Sequence, residues 1–353
     1  MDEPTPDMND LAIVAIGRNE GERLKRCIAS AQRAVTRVVY VDSGSTGGSV
    51  AWARAQGVAV VELDMTVPFS AARARNVGFA RVREAWPSVS LVQFVDGDCE
   101  FFAGWIDTAR AHLRCHKRVA AVCGRVRERH PEQSVYNRLC DLEWVKPVGE
   151  VPACGGIFMI RAEAFAQVDG FDDSVVAGEE PEMCLRLRRA GWTIESIDAD
   201  MVRHDAAMMR FSQWWRRSVR GGYAYALGRA IHRRGPERFC VRQSQRIWLW
   251  ACWLPAAALV AAWWTWGLSV ALLVLLYVVQ TARIALRKRG EGVRTGDAWL
   301  YAFFTMLAKW PQLVGQIRFY RERRRGQGPR IIEYKSASPP AKPGDPDTAT
   351  DRQ

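Results

Sequence analysis

The sequence predicts a doubly wound α/β domain with a mixed, mostly parallel sheet, followed by a helical, membrane-associated C-terminal region. Three observations predict it. Short apolar runs alternate with helix-period segments from Leu11 to His204, the pattern of βαβ units. Two of those runs end abruptly in carboxylates, at Asp42 and at Asp96-Gly97-Asp98. No charged residue occurs between Ile247 and Ala282.

Leu11–Gly17 reads as the first strand, continuously apolar as strands covered on both faces are. A helix follows from about Glu22 to Ala34, with Leu24, Cys27, Ile28 and Ala31 on one face. Val38–Val41 is the second strand, and the loop from Asp42 to Ser49 opens a second helix. Val58–Leu63 is the third strand. Ser70 caps a helix carrying Ala72, Ala74, Val77 and Ala80. Leu91–Val95 is the fourth strand. Val119–Arg127 and Cys154–Arg161 read as further strands, the latter with Gly155 and Gly156 where a backbone approaches a ligand. Ala162–Val168 is a short helix. Glu179, Glu180 and Glu182 open an amphipathic helix, and Thr193–Ile197 and Met201–His204 are extended.

Ligands of open α/β sheets bind outside the carboxyl ends of the strands, so Asp42, Asp96 and Asp98 converge where a ligand sits. Two carboxylates two residues apart suit a hard divalent cation and the phosphate oxygens it carries. A strand-ending turn also uses Asp and Gly. Neither GxGxxG nor GxxxxGK[ST] occurs, so the dinucleotide and P-loop fingerprints are missing. Acidic residues at a helix start also answer the macrodipole, and a lone His204 fits a structural role as well as a catalytic one.

The chain has 353 residues and a net charge of +12, with arginines dominating from Arg203 onward. A basic half points to an anionic partner, either nucleic acid or the cytoplasmic face of a membrane. Nine scattered cysteines without a CxxC pair read as reduced thiols in a cytosolic setting. His112, Cys115, His116 and Cys123 match no zinc spacing. Residues 1–10 read as a disordered, polar N-terminus rather than a signal peptide.

Together, Arg18-Asn19-Glu20, Val41-Asp42-Ser43-Gly44-Ser45, Ala74-Arg75-Asn76-Val77-Gly78, Asp96-Gly97-Asp98, Gly155-Gly156 with Arg161, Gly170-Phe171-Asp172, Glu179-Glu180 before Arg186, and His204 resemble family 2 glycosyltransferases of the GT-A fold. The resemblance covers about residues 10 to 205. It implies a nucleotide-sugar donor contacted by Arg18, Glu20, Asp42, Arg75, Asn76 and Asp96, with Asp42 reading the base and Asp96 near the ribose. It implies Mg²⁺ or Mn²⁺ on Asp98, with His204 as a further ligand. Gly155 and Gly156 fall on the acceptor side, and Glu180 aligns with the general base, Glu179 being the alternative. Relatives carry Asp where this chain has Gly47, and Glu-Asp where it has Glu179-Glu180. One metal and one base suffice for a single displacement that inverts the anomeric centre.

Residues 11–206 are thus expected to form the catalytic domain. Residues 207–246 read as basic amphipathic helices, with Phe211, Trp214, Trp215, Tyr223 and Tyr225 among arginines; they suit base stacking or a membrane surface. The apolar segment decides for the membrane. One crossing needs only about 20 residues, so 247–282 reads as a transmembrane hairpin turning near Thr265-Trp266-Gly267. Arg246 at one end and Arg283, Arg287, Lys288 and Arg289 at the other hold both ends in the cytoplasm. Residues 283–335 read as basic interfacial helices, with Ala298–Val314 interfacial or re-entrant rather than a third crossing. Residues 336–353 read as a disordered tail.

The expectation is a single-sugar, inverting transferase at the inner membrane, facing the cytoplasm, with a lipid-linked or other membrane-presented acceptor and no nucleic acid partner. The Gln-x-x-Arg-Trp motif of processive relatives is broken at Gln213–Arg217 and at Gln243–Trp248. The rivals are a polyprenyl-phosphate sugar synthase, a sugar nucleotidyltransferase and a membrane-tethered nucleic-acid binder. The nucleotidyltransferase normally shows a Gly-x-Gly-Thr-Arg-type loop after the first strand, which Gly17-Arg18-Asn19-Glu20 is not.

Overall fold

Nine strands form one mixed sheet in the computed structural model, which describes residues 8–328 and residue 332. The expectations for residues 1–7 and 336–353 lie outside the described residues. The parallel half is β1 (Leu11–Gly17), β2 (Val38–Asp42), β3 (Ala59–Glu62) and β4 (Leu91–Asp96), in spatial order β3-β2-β1-β4. Apolar runs buried on both faces make these strands: Leu11 to Ala15 and Val38 to Val41 are almost wholly enclosed. Gly17 pairs with Asp42 and Ile16 with Asp96, so both acidic ends reach the same sheet edge.

The other half is mixed in direction. β5 (Cys99–Phe101), β6 (Val119–Glu128), β7 (Gly149–Glu150), β8 (Phe158–Arg161) and β9 (Thr193–His204) complete the sheet. β8 lies antiparallel between β4 and β6, and β5 and β7 pair antiparallel with β9. The two extended segments expected before His204 are therefore one strand. It stays paired with β6 across three register irregularities, which keep the chain extended through polar Asp198 and Asp200.

Helices α1 (Glu22–Gln32), α2 (Ser49–Ala55), α3 (Ala71–Ala85), α4 (Trp105–Cys115), α5 (Val135–Glu143), α6 (Ala162–Gln167) and α7 (Glu179–Arg189) flank the sheet. Ser70 caps α3, its hydroxyl accepting from the Arg73 amide at 3.1 Å. α1 presents Leu24, Cys27, Ile28 and Ala31 to the core, as its period requires.

The C-terminal part is helical. α8 (Phe211–His232) leads to α9 (Val241–Trp248), a π-helical turn (Leu249–Trp253) and α10 (Leu254–Ala262), which run end to end. The chain turns at Trp263–Gly267 into α11 (Leu268–Gly290), followed by α12 (Thr295–Leu307) and α13 (Lys309–Arg324). The stretch expected as one interfacial helix, Ala298–Val314, is two helices broken at Ala308. α8 and α13 touch backbone to backbone: a Cβ on Gly222 would come within 2.0 Å of the Gln312 carbonyl oxygen, and one on Gly315 within 2.0 Å of that of Val219. By length and composition, α11 alone among the described helices is long and apolar enough to cross a membrane, and it is barely covered by protein.

Candidate active site

Three loops at the carboxyl edge of the sheet meet through short polar contacts. After β1, the Asn19 amide donates to Ser45 Oγ at 2.8 Å, and Asn19 Oδ1 accepts from the Thr46 amide at 2.9 Å. After β2, Asp42 is only 2% exposed, and its carboxylate is saturated within its own loop. It accepts from Tyr40 Oη at 2.7 Å, the Gly44 and Ser45 amides at 3.0 and 2.7 Å, and Ser45 Oγ at 2.5 Å. Four donors around this carboxylate shape the loop. Ser43, Arg18 and Phe69 line the cleft beside it, with the Arg18 guanidinium 4.7 Å from the Phe69 ring centre.

The cleft has a volume of about 870 Å³ and takes its wall from Arg18, Glu20, Arg75, Asp96, Asp98, Gly156 and Glu179. Arg75 is its hub. Buried on α3, it donates from Nη2 to Asp96 at 2.9 Å and from Nη1 to Glu179 at 3.0 Å, and sits 5.5 Å from the Phe171 ring centre. Such a fork fixes both carboxylates in one geometry. Gly156 permits it, since a Cβ there would lie 2.9 Å from Arg75 Nη2. Glu20 lines the same wall and pairs with Arg23 at 2.7 Å. Asn76 does not reach the cleft lining. Its amide clamps the following loop, donating to the Phe171 carbonyl and accepting from the Phe171 amide at 2.8 and 2.9 Å. It supports the loop Gly170-Phe171-Asp172.

Asp98 follows the turn after β4, where it is 3% exposed. Its Oδ2 lies 3.5 Å from His204 Nε2, at the end of β9. His204 Nδ1 is buried without a hydrogen bond, 3.8 Å from Glu128 Oε2. Trp144 stands edge-on to the imidazole at 4.5 Å between ring centres. A side chamber of about 250 Å³ continues past Asp96, Gly155 and Gly156 to His204 and Trp144. The carboxylate and imidazole nitrogen are a donor set that fits a divalent cation.

The two glutamates opening α7 point to different surroundings. Glu179 faces the cleft; burial alone would raise its carboxyl, but Arg75 and Arg220 outweigh that and hold it below the usual range. Glu180 turns inward. It accepts from the Cys154 amide at 2.6 Å and from Cys184 Sγ at 2.9 Å, and it lines neither cavity. Burial pushes its carboxyl up, against the opposing pull of Lys146. Helical geometry sends adjacent side chains about 100° apart, and of the two glutamates Glu179 lines the cleft.

Sequence reasoning missed the opposite wall. Trp214, Arg217 and Arg220 of α8, Tyr301, Phe304 and Thr305 of α12, and Lys309 and Gln312 of α13 close the cleft over the sheet edge. Arg217 pairs with Glu143 of α5 at 2.6 Å, and Arg138 of α5 makes a two-pronged pair with Asp297 of α12 at 3.0 and 2.6 Å. The basic, aromatic pattern of residues 210–225 was the available signal, but its period does not say which surface it faces.

The site thus lies at the edge of a mixed sheet, where the acidic loops after β2 and β4 face a helix headed by glutamates. Residues 13–167 match the profile of glycosyl transferase family 2, and residues 139–210 match that of the N-terminal domain of galactosyltransferase. Over these residues the chain resembles family 2 glycosyltransferases, on a GT-A-like fold. The pre-mycofactocin glycosyltransferases of two Mycobacterium tuberculosis strains are 26% identical over 240 residues, 63% of this chain and 48% of theirs. The chain thus spans about half the length of these curated relatives. The mannosyltransferase PcManGT from Pyrobaculum calidifontis, solved with GDP-Man and Mn²⁺, has a TM-score of 0.58 at 18% identity, covering 88% of this chain and 87% of that one.

Proposed function

We propose that the chain is a metal-dependent, inverting glycosyltransferase that moves a single sugar from a nucleotide-sugar donor to a membrane-presented, lipid-linked acceptor in envelope or exopolysaccharide assembly. The observation that carries this reading is one cleft holding Asp98 and Glu179 on its walls, roofed by helices that adjoin an exposed apolar hairpin. Asp98 and His204 would hold Mg²⁺ or Mn²⁺, which neutralises the charge growing on a leaving diphosphate. The Mn²⁺ beside GDP-Man in the Pyrobaculum enzyme is a precedent for that pairing.

The chain's own residues do the rest. Arg75 fixes Asp96 towards the donor and Glu179 towards the acceptor. Glu179, kept ionised by Arg75 and Arg220, takes the proton from the acceptor hydroxyl as it attacks. Glu180 anchors the first turn of α7 to the Cys154 backbone and so holds Glu179 in place. Residues 11–206 would form the catalytic domain on the cytoplasmic face of the inner membrane, with 207–246 and 283–335 lying along the surface and 247–282 crossing it twice.

A second reading is favoured by Lys309. This half-buried cation in the cleft wall, with its ammonium pulled below the usual lysine range by burial and by Arg246, suits an acceptor phosphate. A phosphate acceptor needs no strong base, so Glu179→Gln would then be mild. Donor turnover across a panel of nucleotide sugars, with and without EDTA and with Mn²⁺ restored, tests the main reading. Reversible loss in EDTA supports it, and full turnover in EDTA overturns its metal-dependent part.

A further inference from the structure

The molecule carries a second cavity with different chemistry, a groove of about 820 Å³ on the far side of α9. Arg229 of α8 and Arg242 and Arg246 of α9 line it, together with Trp248, Trp253 and Tyr320. Among the described residues no carboxylate lines it. Arg242 and Arg246 are one helical turn apart, so they share a face of α9, and both are exposed. Arg229 is held by Ser244 Oγ at 3.2 Å. Below them Trp248 and Trp253 stack, their ring centres 5.8 Å apart and their planes inclined by 29°. Trp253 is 60% exposed and opens directly onto the apolar surface of α10 and α11.

The frame is rigid. Ser244 Oγ donates to Gln316 Oε1 at 2.7 Å, and Trp248 Nε1 donates to the same oxygen at 2.9 Å. These bonds tie α9 to α13 beneath the arginines. Three cations with no facing carboxylate among the described residues repel one another, a cost that a bound anion offsets. A water-filled groove would leave Trp253 and Leu249 hydrating apolar surface to no gain. Arginine forks match phosphate oxygens, and stacked tryptophans suit the boundary between headgroup and acyl chains.

We propose that this groove binds the phosphate headgroup of an anionic lipid, with the acyl chains running down the hairpin from Trp253. The inference rests on the membrane-associated reading of the hairpin and on no part of the transfer chemistry. The occupant is a lipid rather than a free phosphate because the groove combines cations at its mouth with exposed tryptophan at its floor. Docked there, the headgroup would fix the depth of α9 and α13, and with α13 the position of Lys309 in the catalytic cleft.

The test uses the purified full chain in flotation with phosphatidylcholine vesicles, with and without phosphatidylglycerol. Phosphatidylglycerol is expected to tighten binding, and Arg242→Ala with Arg246→Ala to remove about 25-fold of that gain, each cationic side chain near an anionic surface being worth about fivefold. Arg242→Lys with Arg246→Lys should recover only part of it. The paired control Arg287→Ala with Arg289→Ala removes equal charge from the end of α11. If the control costs as much as the groove variant, the attraction is diffuse and the site is overturned. If inorganic phosphate abolishes the preference at constant ionic strength, the site is one for soluble phosphate and the lipid assignment is overturned. Equal binding to both vesicle types overturns the headgroup site while leaving the hairpin reading intact. Failure to float with either type overturns both.

Discussion

The strand β4 and the first half of helix α11 are both rich in apolar residues, yet their surroundings are opposite. Leu91, Val92, Phe94 and Val95 are at most 3% exposed, whereas Leu268, Leu272, Val274 and Leu275 are 56–71% exposed, and Trp266 at the hairpin turn is 97% exposed. The two apolar segments thus end in opposite surroundings. The strand obtains its apolar contacts from helices on both faces of the sheet, as parallel strands do. Among the described residues the outer face of the hairpin finds no such partner, and exposed apolar surface on this scale marks a contact with something else. The cleft lies where the two regimes meet, one wall from the sheet edge and one from the helices. Chemistry is assigned to the first wall and acceptor capture to the second, so substitutions should separate into those two effects.

The largest expected effect lies on the sheet side. Asp98→Ala removes the carboxylate proposed to hold the metal, and turnover should fall by about 10³-fold or more, the equivalent of several kcal/mol of charge stabilisation. Retained turnover with unchanged metal response would detach Asp98 from the reaction. Next comes α7. Glu179→Gln should lower kcat by about 10²- to 10⁴-fold, while Glu180→Gln should cost less than about tenfold. The pH profile sharpens the choice. Glu179 has its carboxyl lowered, so with Glu179 as base the acid limb of kcat/KM falls below the ordinary glutamate range. Glu180 has its carboxyl raised, so with Glu180 as base the limb moves above that range. A limb above the ordinary value, together with the reverse ranking of the two variants, would return the role to Glu180.

The same substitution made in both regions breaks the comparison most directly. Val92→Arg places an unpaired charge in the sheet core, and no folded protein is expected. Leu275→Arg in α11 should leave the catalytic domain folded and lower the membrane-bound fraction, since a mid-helix arginine costs about 2.5–3.5 kcal/mol of insertion. Sedimentation after a high-salt wash reads the second and thermal unfolding the first. Equal unfolding by both would mean that α11 is packed as a protein core.

The sheet was legible because apolar runs with Asp and Gly at their ends report strand, direction and edge together. The order of the acidic loops followed from topology alone, since β1, β2 and β4 are neighbours. Three things were not legible. Adjacent glutamates look alike in sequence, and only the start of α7 at Glu179 decides which one faces the cleft. Asp42 carries a motif, but its saturation depends on Tyr40, two residues back on the same face of β2, and on the turn formed by Gly44 and Ser45. The helical roof arises from glycine contacts between α8 and α13 almost a hundred residues apart, and hydrophobic periodicity carries no signal for such a distant pairing.

The smallest expected effect belongs to Lys309, and it tests whether the roof recognises charge. The residue starts α13, lines the cleft, and is held only by Gln312 Oε1 at 3.3 Å among the described residues. Burial, then Arg246, lowers its ammonium below the ordinary lysine range. A group whose pKa falls on folding binds fewer protons in the native state, so its charged form opposes folding, and stability rises as pH climbs through its titration. Lys309→Met should therefore raise the melting temperature at neutral pH. If the cation holds an acceptor phosphate, the same variant should raise acceptor KM by about tenfold, the worth of one charge-assisted hydrogen bond, with kcat little changed. In the unmodified protein that KM should also rise with pH, beginning below the usual lysine range, and the variant should lose this dependence. A higher melting temperature with unchanged KM would make Lys309 a buried charge without a ligand. The phosphate-acceptor reading would then fall, and the hydroxyl acceptor with Glu179 as its base would stand.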